Sequence, residues 1–506
     1  MADRSAVIRS GGLPERPEEI YLAPQARRAD WKRISIILLG LLLFSVVYFS
    51  KAWPDALGPG GQRFPLTREG KASLALSLLA LTWWVGEVVP LGVTSVAIGS
   101  LQALFLIRSA RSAFSDFMDP AVWFIFGSLA IGMVFNKTGL TRRMAYRMLL
   151  LVGERTKMIY LGCFAMTAVM TLVMAHTAVA AAIFPLLMAV YSLYPEDDKP
   201  TRFGKGLFIG MAFAAGAGSI VTLLGSARAP VAVGFFKQMA GREISFLEMS
   251  YYMLPLGWAM AILLWFFCMI VFPPEKKTIP GLHERARVLH SSLGPMSRSE
   301  RLALAIVLCT VAMLSARSFV PALAPLDMSA IILVSTVLFF LLRILELKDI
   351  EEIPWNIVLL FGGAMSIGLC LWQTGAASWL AVRCLVLFHG SHGLLFVLGI
   401  ALFVLVMTNF ILNVAAIAIC LPVALALARY LNVTPEVILF SLLTAAGMPF
   451  LTLFGAAPNA IAHGGGQFTS REFFAAGVPA SLMLLLVLGL FVWVIWPLMG
   501  MPVLTH

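Results

Sequence analysis

Apolar runs approaching the ~20 residues needed to cross a bilayer recur along the whole chain, separated by short polar stretches. Residues 34–49, 72–85, 256–272 and 478–495 are four of them. The pattern predicts an all-α integral membrane protein, because helices satisfy every backbone group internally when lipid is the solvent. Two apolar segments, 161–191 and 394–428, contain no polar loop. At about 31 and 35 residues, each is too long for one span and too short for two. Each is expected to enter the membrane and turn back as a re-entrant hairpin. The tips fall at polar interruptions, Ala175-His176-Thr177 in the first and Leu412-Asn413-Val414 in the second.

The landmarks come twice and in the same order. Residues 121–127 lead to Lys137-Thr138-Gly139, and residues 355–363 lead to Gln373-Thr374-Gly375; further on, 176–185 matches 413–422. Between the copies lies a Pro-, Lys- and Arg-rich stretch, 273–301, with the composition of a linker. With an odd number of crossings in each copy, the two repeats are inverted relative to each other, an architecture of secondary transporters. The resulting plan has a cytoplasmic tail (1–33) and a first hydrophobic half (34–272), with scaffold helices, a hairpin at 156–193 and a broken helix at 205–238. A cytoplasmic linker (273–301) then leads to a second half (302–499), with a hairpin at 393–430 and a broken helix at 435–464.

Composition narrows the function. Of 506 residues 60% are hydrophobic and 12% charged, far from a soluble domain. The net charge of +11 does not point to nucleic acid, because Lys and Arg lie mainly in the short connections, as the positive-inside rule expects. Arg4, Arg9, Arg16, Arg27, Arg28, Lys32 and Arg33 hold the tail in the cytoplasm. Counting spans puts the basic stretches 142–157, 199–205 and 276–301 on the same side. The chain is therefore expected to be a multi-pass protein of the cell (inner) membrane. Its six cysteines stand singly, without metal or redox spacing. No metalloprotease, nucleophile-elbow or nucleotide-loop motif is present, so neither catalysis nor ATP-driven transport is indicated. The cluster Gly464-Gly465-Gly466 reads as a connection, Glu87 as a structural acid near a helix end, and Lys137 as a snorkelling residue at a cytoplasmic helix end.

Within the apolar segments a few polar residues stand out. Helix N-termini at two hairpin tips present free N–H groups suited to an anion. Thr177 and Asn413 are good N-caps there, and capping alone and capping with ligand contact both remain open. His176 is an ionisable group inside an apolar hairpin, expensive unless it is functional or hydrogen-bonded. Arg228 sits in Gly225-Ser226-Ala227-Arg228-Ala229-Pro230, a Gly/Pro break whose counterpart is Gly455-Ala456-Ala457-Pro458-Asn459. Breaks at matching places in two halves point to a transport site. A permanently charged arginine there needs an acid, carbonyls or an anionic substrate, unless it snorkels from a helix end.

At these residues the chain resembles the divalent anion:sodium symporter family, which includes di- and tricarboxylate, citrate and sulfate transporters. The likeness covers roughly residues 66–499. It starts at Trp84-Val85-Gly86-Glu87-Val88-Val89-Pro90-Leu91, similar to the family's Trp-Val-Thr-Glu-Ala-Ile-Pro-Leu, and ends at 455–461, similar to Gly-Thr-Pro-Pro-Asn-Ala-Ile. The resemblance implies about eleven transmembrane helices plus two hairpins, a homodimer, and an elevator-like transport domain moving against a scaffold. With the polar residues already singled out, the candidate substrate contacts are His176, Thr177, Asn413, Val414, Ser226, Arg228, Pro458 and Asn459. Coupling-ion contacts would come from His176, Gly225, Ser226, Asn413, Gly455 and Ala456. The departures are specific. The family's Ser-Asn-Thr tips read Ala-His-Thr and Leu-Asn-Val here, Pro-Asn after the first Gly-Thr has become Arg228-Ala229, and Thr has become Ala456. The expectation is a secondary transporter of small di- or tricarboxylate-like anions in which Arg228 supplies a charge that sodium supplies elsewhere. Transport would then be exchange, uniport or proton-coupled, with ordinary sodium symport as the alternative. An intramembrane enzyme and a transporter-like receptor are the remote alternatives. No cofactor or metal is expected beyond sodium or protons as coupling ions.

Overall fold

The structure, a computed structural model, describes residues 31–57, 62–194, 200–385 and 393–504. The tail arginines Arg4, Arg9, Arg16, Arg27 and Arg28, and Lys199, lie outside them. Among the described residues the fold is all-α, with one two-residue antiparallel pair, Ala56–Leu57 with Arg63–Phe64. Local signals set many helix starts. Ser297 and Thr469 each form a capping box: the hydroxyl accepts from the N–H of Glu300 or Glu472, whose carboxylate returns to the cap's own N–H.

Among the described residues, seven helices are long and apolar enough to span a membrane: Trp31–Phe49, Ala110–Thr138, Phe246–Val271, Arg298–Ala316, Trp355–Gln373, Asn413–Tyr430 and Ser470–Leu498. Their outer faces expose Leu38, Leu42, Val46, Ile262, Phe266, Ile270, Leu486 and Trp493. Apolar stripes on this scale mark surfaces that face lipid or another protein. Shorter helices fill the interior. Thr156–Met170 and His176–Tyr191 contain 15 and 16 residues. At ~1.5 Å per residue neither reaches across a ~30 Å hydrocarbon core. Gly393–Thr408 and Asn413–Tyr430 form the matching pair. Arg202–Gly218 is followed after a break by Arg228–Ala240, and Pro435–Gly447 is followed by Ala457–His463.

Interior helices approach closely because glycine leaves room. A Cβ on Gly210 would lie 1.8 Å from the Phe164 ring, and one on Gly363 would lie 2.3 Å from Ser95. The segment 273–301 is not irregular throughout. It carries a helix, Leu282–Ser292, packed on Leu140–Val152. Arg143 fastens that corner by a bidentate pair with Glu300 (2.8 and 3.1 Å). Lys137 pairs with Asp349 at 2.6 Å, so its charge is held by a partner as well as by its position at a helix end. Glu87 is exposed in a left-handed conformation that closes the helix Arg68–Gly86.

The breaks in the two halves are held by corresponding contacts. Thr222 Oγ1 donates to the Leu172 carbonyl (2.8 Å), and Thr452 Oγ1 donates to the Asn409 carbonyl. Gly225 lies against the Thr171 carbonyl and Ser219, and Gly455 lies against the Thr408 carbonyl and Pro449. Each break is thus tied to the short helix pair of its own half by the same two positions.

Candidate functional site

The centre of interest is the first break. Arg228 opens the helix Arg228–Ala240 and is only 1% exposed. Its Nη2 donates to Ser219 Oγ at 2.7 Å, while Nε and Nη1 have no hydrogen-bond partner among the described residues. The guanidinium lies against Gly447 of the second half, where a Cβ would come within 2.6 Å of Nη2. Gly216 meets the Gly447 carbonyl as well, so the two breaks pack directly on one another at Arg228.

His176 begins the helix His176–Tyr191, and its backbone N–H donates to the Gly225 carbonyl at 2.9 Å, which seats the first tip on the first break. Its side chain is 8% exposed with Nδ1 unpartnered, and Ser226 Oγ, 2% exposed, is unpartnered too. The first break therefore gathers three buried polar side chains with unused hydrogen-bonding atoms. Buried polar groups in native proteins are almost always satisfied. Open donors beside two helix N-termini form a place that can hold an anion.

The second break is built differently. Asn409 Oδ1 accepts from the N–H groups of Leu451 and Thr452 (2.8 and 3.1 Å), and its Nδ2 donates to Leu405. Asn459 Nδ2 donates to the Pro449 and Thr452 carbonyls (2.8 and 3.0 Å). Pro458 lies in the first turn of Ala457–His463, and Ala456 precedes it in extended backbone. These amides are spent on the loop itself.

Neither predicted cap is one. Ala175 and Leu412 hold the N-cap positions without a side-chain bond, and Thr177 and Asn413 fall inside the first turn. A Pro-like extended residue before the tip takes the cap conformation, leaving those polar side chains free of that duty. Thr177 and Asn413 are half-buried, and Val414 is 4% exposed. Sequence reasoning missed Ser219, Gly447 and Asn409. Only Asn409 carried a signal, as a second polar residue within an apolar run.

A cavity of about 220 Å³ lies beside the first break, lined by Leu223 and Pro230 together with Asp119, Lys237, Gln238 and Glu243. Arg228, His176 and Ser226 do not line it. Among the described residues no group of three or more His, Cys, Asp or Glu side chains that could hold a metal ion is present.

An all-α chain with lipid-facing helices, interior helix breaks and a buried unpaired cation defines a polytopic membrane transporter. The chain belongs to the family described as the sodium:sulfate symporter transmembrane region, which it matches over residues 64–502. It is 26% identical over 489 residues to the sodium-dependent dicarboxylate transporter SdcS of Staphylococcus saprophyticus, covering 92% of each chain. Two solved transporters share the fold. One is the Neisseria gonorrhoeae MtrF structure, described as illuminating a class of antimetabolite efflux pumps, with a TM-score of 0.57, 14% identity, and 94% of this chain and 96% of that one covered. The other is the Alcanivorax borkumensis YdaH transporter, with a TM-score of 0.56, 13% identity, and 94% and 98% covered.

Proposed function

We propose that the chain is a secondary transporter of small anions of the carboxylate or sulfate kind, and that Arg228 provides the positive charge against which the anion binds. Sodium is then not a required co-substrate. The carrying observation is a buried guanidinium with two unpartnered nitrogens and no carboxylate within ion-pair distance among the described residues. An uncompensated buried charge is costly unless a ligand completes it. Two cations ~4 Å apart repel by about 4 kcal/mol at an effective dielectric of ~20, which disfavours sodium beside Arg228. His176, Ser226 and Thr177 complete the anion's surroundings on the first tip and break, while Asn413, Val414, Pro458, Asn459, Gly455 and Ala456 face it from the second.

The same reading takes the short helix pairs as re-entrant hairpins in two inverted halves, within about eleven spans. The transport domain moves elevator-fashion in a homodimer of the inner membrane, with the N-terminus cytoplasmic. A second reading, sodium-coupled dicarboxylate symport, is favoured by the relative named as sodium-dependent and by the internally braced second break. Uptake by the purified protein in liposomes separates them. The proposal expects equal uptake in sodium and choline, and uptake that requires sodium supports symport.

A further inference from the structure

We infer that two short straps, residues 275–279 and 502–504, each clamp both legs of one short helix pair at its base, so that neither pair swings open from its base and each moves with its own broken helix as one body. The inference rests on the reading of those pairs as re-entrant hairpins that carry the transport site, and deepens it.

Each strap follows the long helix that ends its half, Phe246–Val271 in the first and Ser470–Leu498 in the second. In the first half, Thr278 pairs with Arg155 in an antiparallel bridge just ahead of the leg Thr156–Met170. The Thr156 N–H donates to the Lys277 carbonyl (3.1 Å) and the Ile279 N–H to the Glu154 carbonyl (2.8 Å). Thr156 Oγ1 adds a bond to the Lys276 carbonyl (2.8 Å). The other leg, His176–Tyr191, is held just past its end. There Tyr194 Oη donates to Glu275 Oε2 (2.9 Å) and accepts from the Lys276 N–H (2.8 Å). Glu275 also accepts from the N–H groups of Arg202 and Phe203, where the broken helix begins.

The second half repeats this with the legs exchanged. Leu504 pairs with Val433 in an antiparallel bridge just beyond the leg Asn413–Tyr430. The Thr434 N–H donates to the Val503 carbonyl (2.9 Å) and Thr434 Oγ1 to the Pro502 carbonyl, at the N-cap of the broken helix Pro435–Gly447. At the start of the other leg, a Cβ on Gly393 would lie 2.8 Å from the Leu504 side chain. Ile279, Val433 and Val503 are buried, so parting either strap from its legs leaves backbone groups unpaired in an apolar setting. At the far end of each pair, Thr222 and Thr452 already tie the tip region to the break. A pair fastened to its broken helix at both ends has no free end to swing.

The test uses the full-length protein in liposomes with the cysteine pairs Arg155→Cys/Thr278→Cys and Val433→Cys/Leu504→Cys, the single variants serving as controls for the native cysteines. Uptake of labelled succinate and sulfate is measured in sodium buffer, where either coupling mode operates. Oxidation should cross-link each pair and leave uptake unchanged. Loss of uptake on oxidation, restored by reduction, overturns the inference, and so does a pair that fails to cross-link. Amide hydrogen exchange reads the clamp without transport. Tyr194→Phe removes the donor to Glu275 and the acceptor of the Lys276 N–H, and should speed exchange across 156–191 by ~10-fold, the size of one lost hydrogen bond, with 393–430 unchanged. Thr434→Val, at a cap position whose side chain makes no capping bond, should do the reverse. Exchange that quickens only in the strap, or in both pairs alike, overturns the inference. A wild-type protein that takes up neither anion would defeat the transport reading, while hydrogen exchange still decides the straps.

Discussion

Replacing Arg228 with methionine should make the empty protein more stable and abolish its response to substrate. The side chain is 1% exposed and makes one hydrogen bond, to Ser219 Oγ, so the folded apo state carries a nearly unpaired charge. Apolar replacement of buried ionic groups is neutral or stabilising by ~1–4 kcal/mol, and methionine fills a similar volume with an adaptable chain. Ser219 Oγ keeps its own bond to the Gly216 carbonyl (2.7 Å), so no new orphan is created. The bound state moves the other way. A charged hydrogen bond contributes ~1.5–3 kcal/mol, so losing the charge and its free donors should weaken anion binding by ~2–4 kcal/mol, roughly 30- to 1000-fold. Thermal unfolding in detergent, with and without anion, reads both effects. A ligand at ~100 times its Kd stabilises the wild type by about 2.7 kcal/mol, and that increment should vanish in the variant. A variant that unfolds earlier when empty, yet keeps the ligand-induced increment, would show Arg228 to be a structural residue and refute the reasoning.

Other outcomes follow from the same geometry. Gly447→Ala places a methyl 2.6 Å from Arg228 Nη2 and 2.5 Å from the Ile220 side chain; it should cost ~1–3 kcal/mol of stability by overpacking and reduce transport, measured as melting temperature and uptake. Asn459→Ala strips the Pro449 and Thr452 carbonyls of their donor and should destabilise by ~1–3 kcal/mol, seen by thermal unfolding. The Glu300 carboxylate accepts from Arg143 at 2.8 and 3.1 Å and from the Ser297 N–H at 2.6 Å, so Glu300→Gln leaves the partly buried guanidinium without its anion and should lower the melting temperature. On the face carrying residues 241–245, Arg317 and Lys237 both pair with Glu243 (3.4 and 3.2 Å), and Ser318 bonds Ser245. If the broken-helix body moves against the helix Arg298–Ala316, Glu243→Gln should change the uptake rate and its salt dependence, restored by neither ion alone.

Much of the plan was legible because membrane helices are written in long apolar runs, and breaks are written in Gly and Pro. Gly225 and Gly455 marked their loops, and the structure packs each against a threonine carbonyl. The tips were legible as places but not in detail. Thr177 and Asn413 have the chemistry of caps, yet the chain turns one or two residues earlier, at Ala175 and Leu412. Cap position depends on backbone dihedrals that a polar side chain does not dictate. Contacts between halves were not legible at all. Gly447 and Ser219 carry no chemical mark in sequence, and only folding brings them to Arg228. The asymmetry between an open first break and a braced second one likewise depends on partners, not on composition.

Whether a fixed charge at Arg228 stands where a coupling cation would otherwise be needed is decided by uptake of a labelled small anion by the wild-type protein in liposomes, titrated with sodium at constant ionic strength with choline. The expected rate is flat with sodium and lost in Arg228→Met. A rate that climbs from zero with sodium, and survives in Arg228→Met, would contradict it.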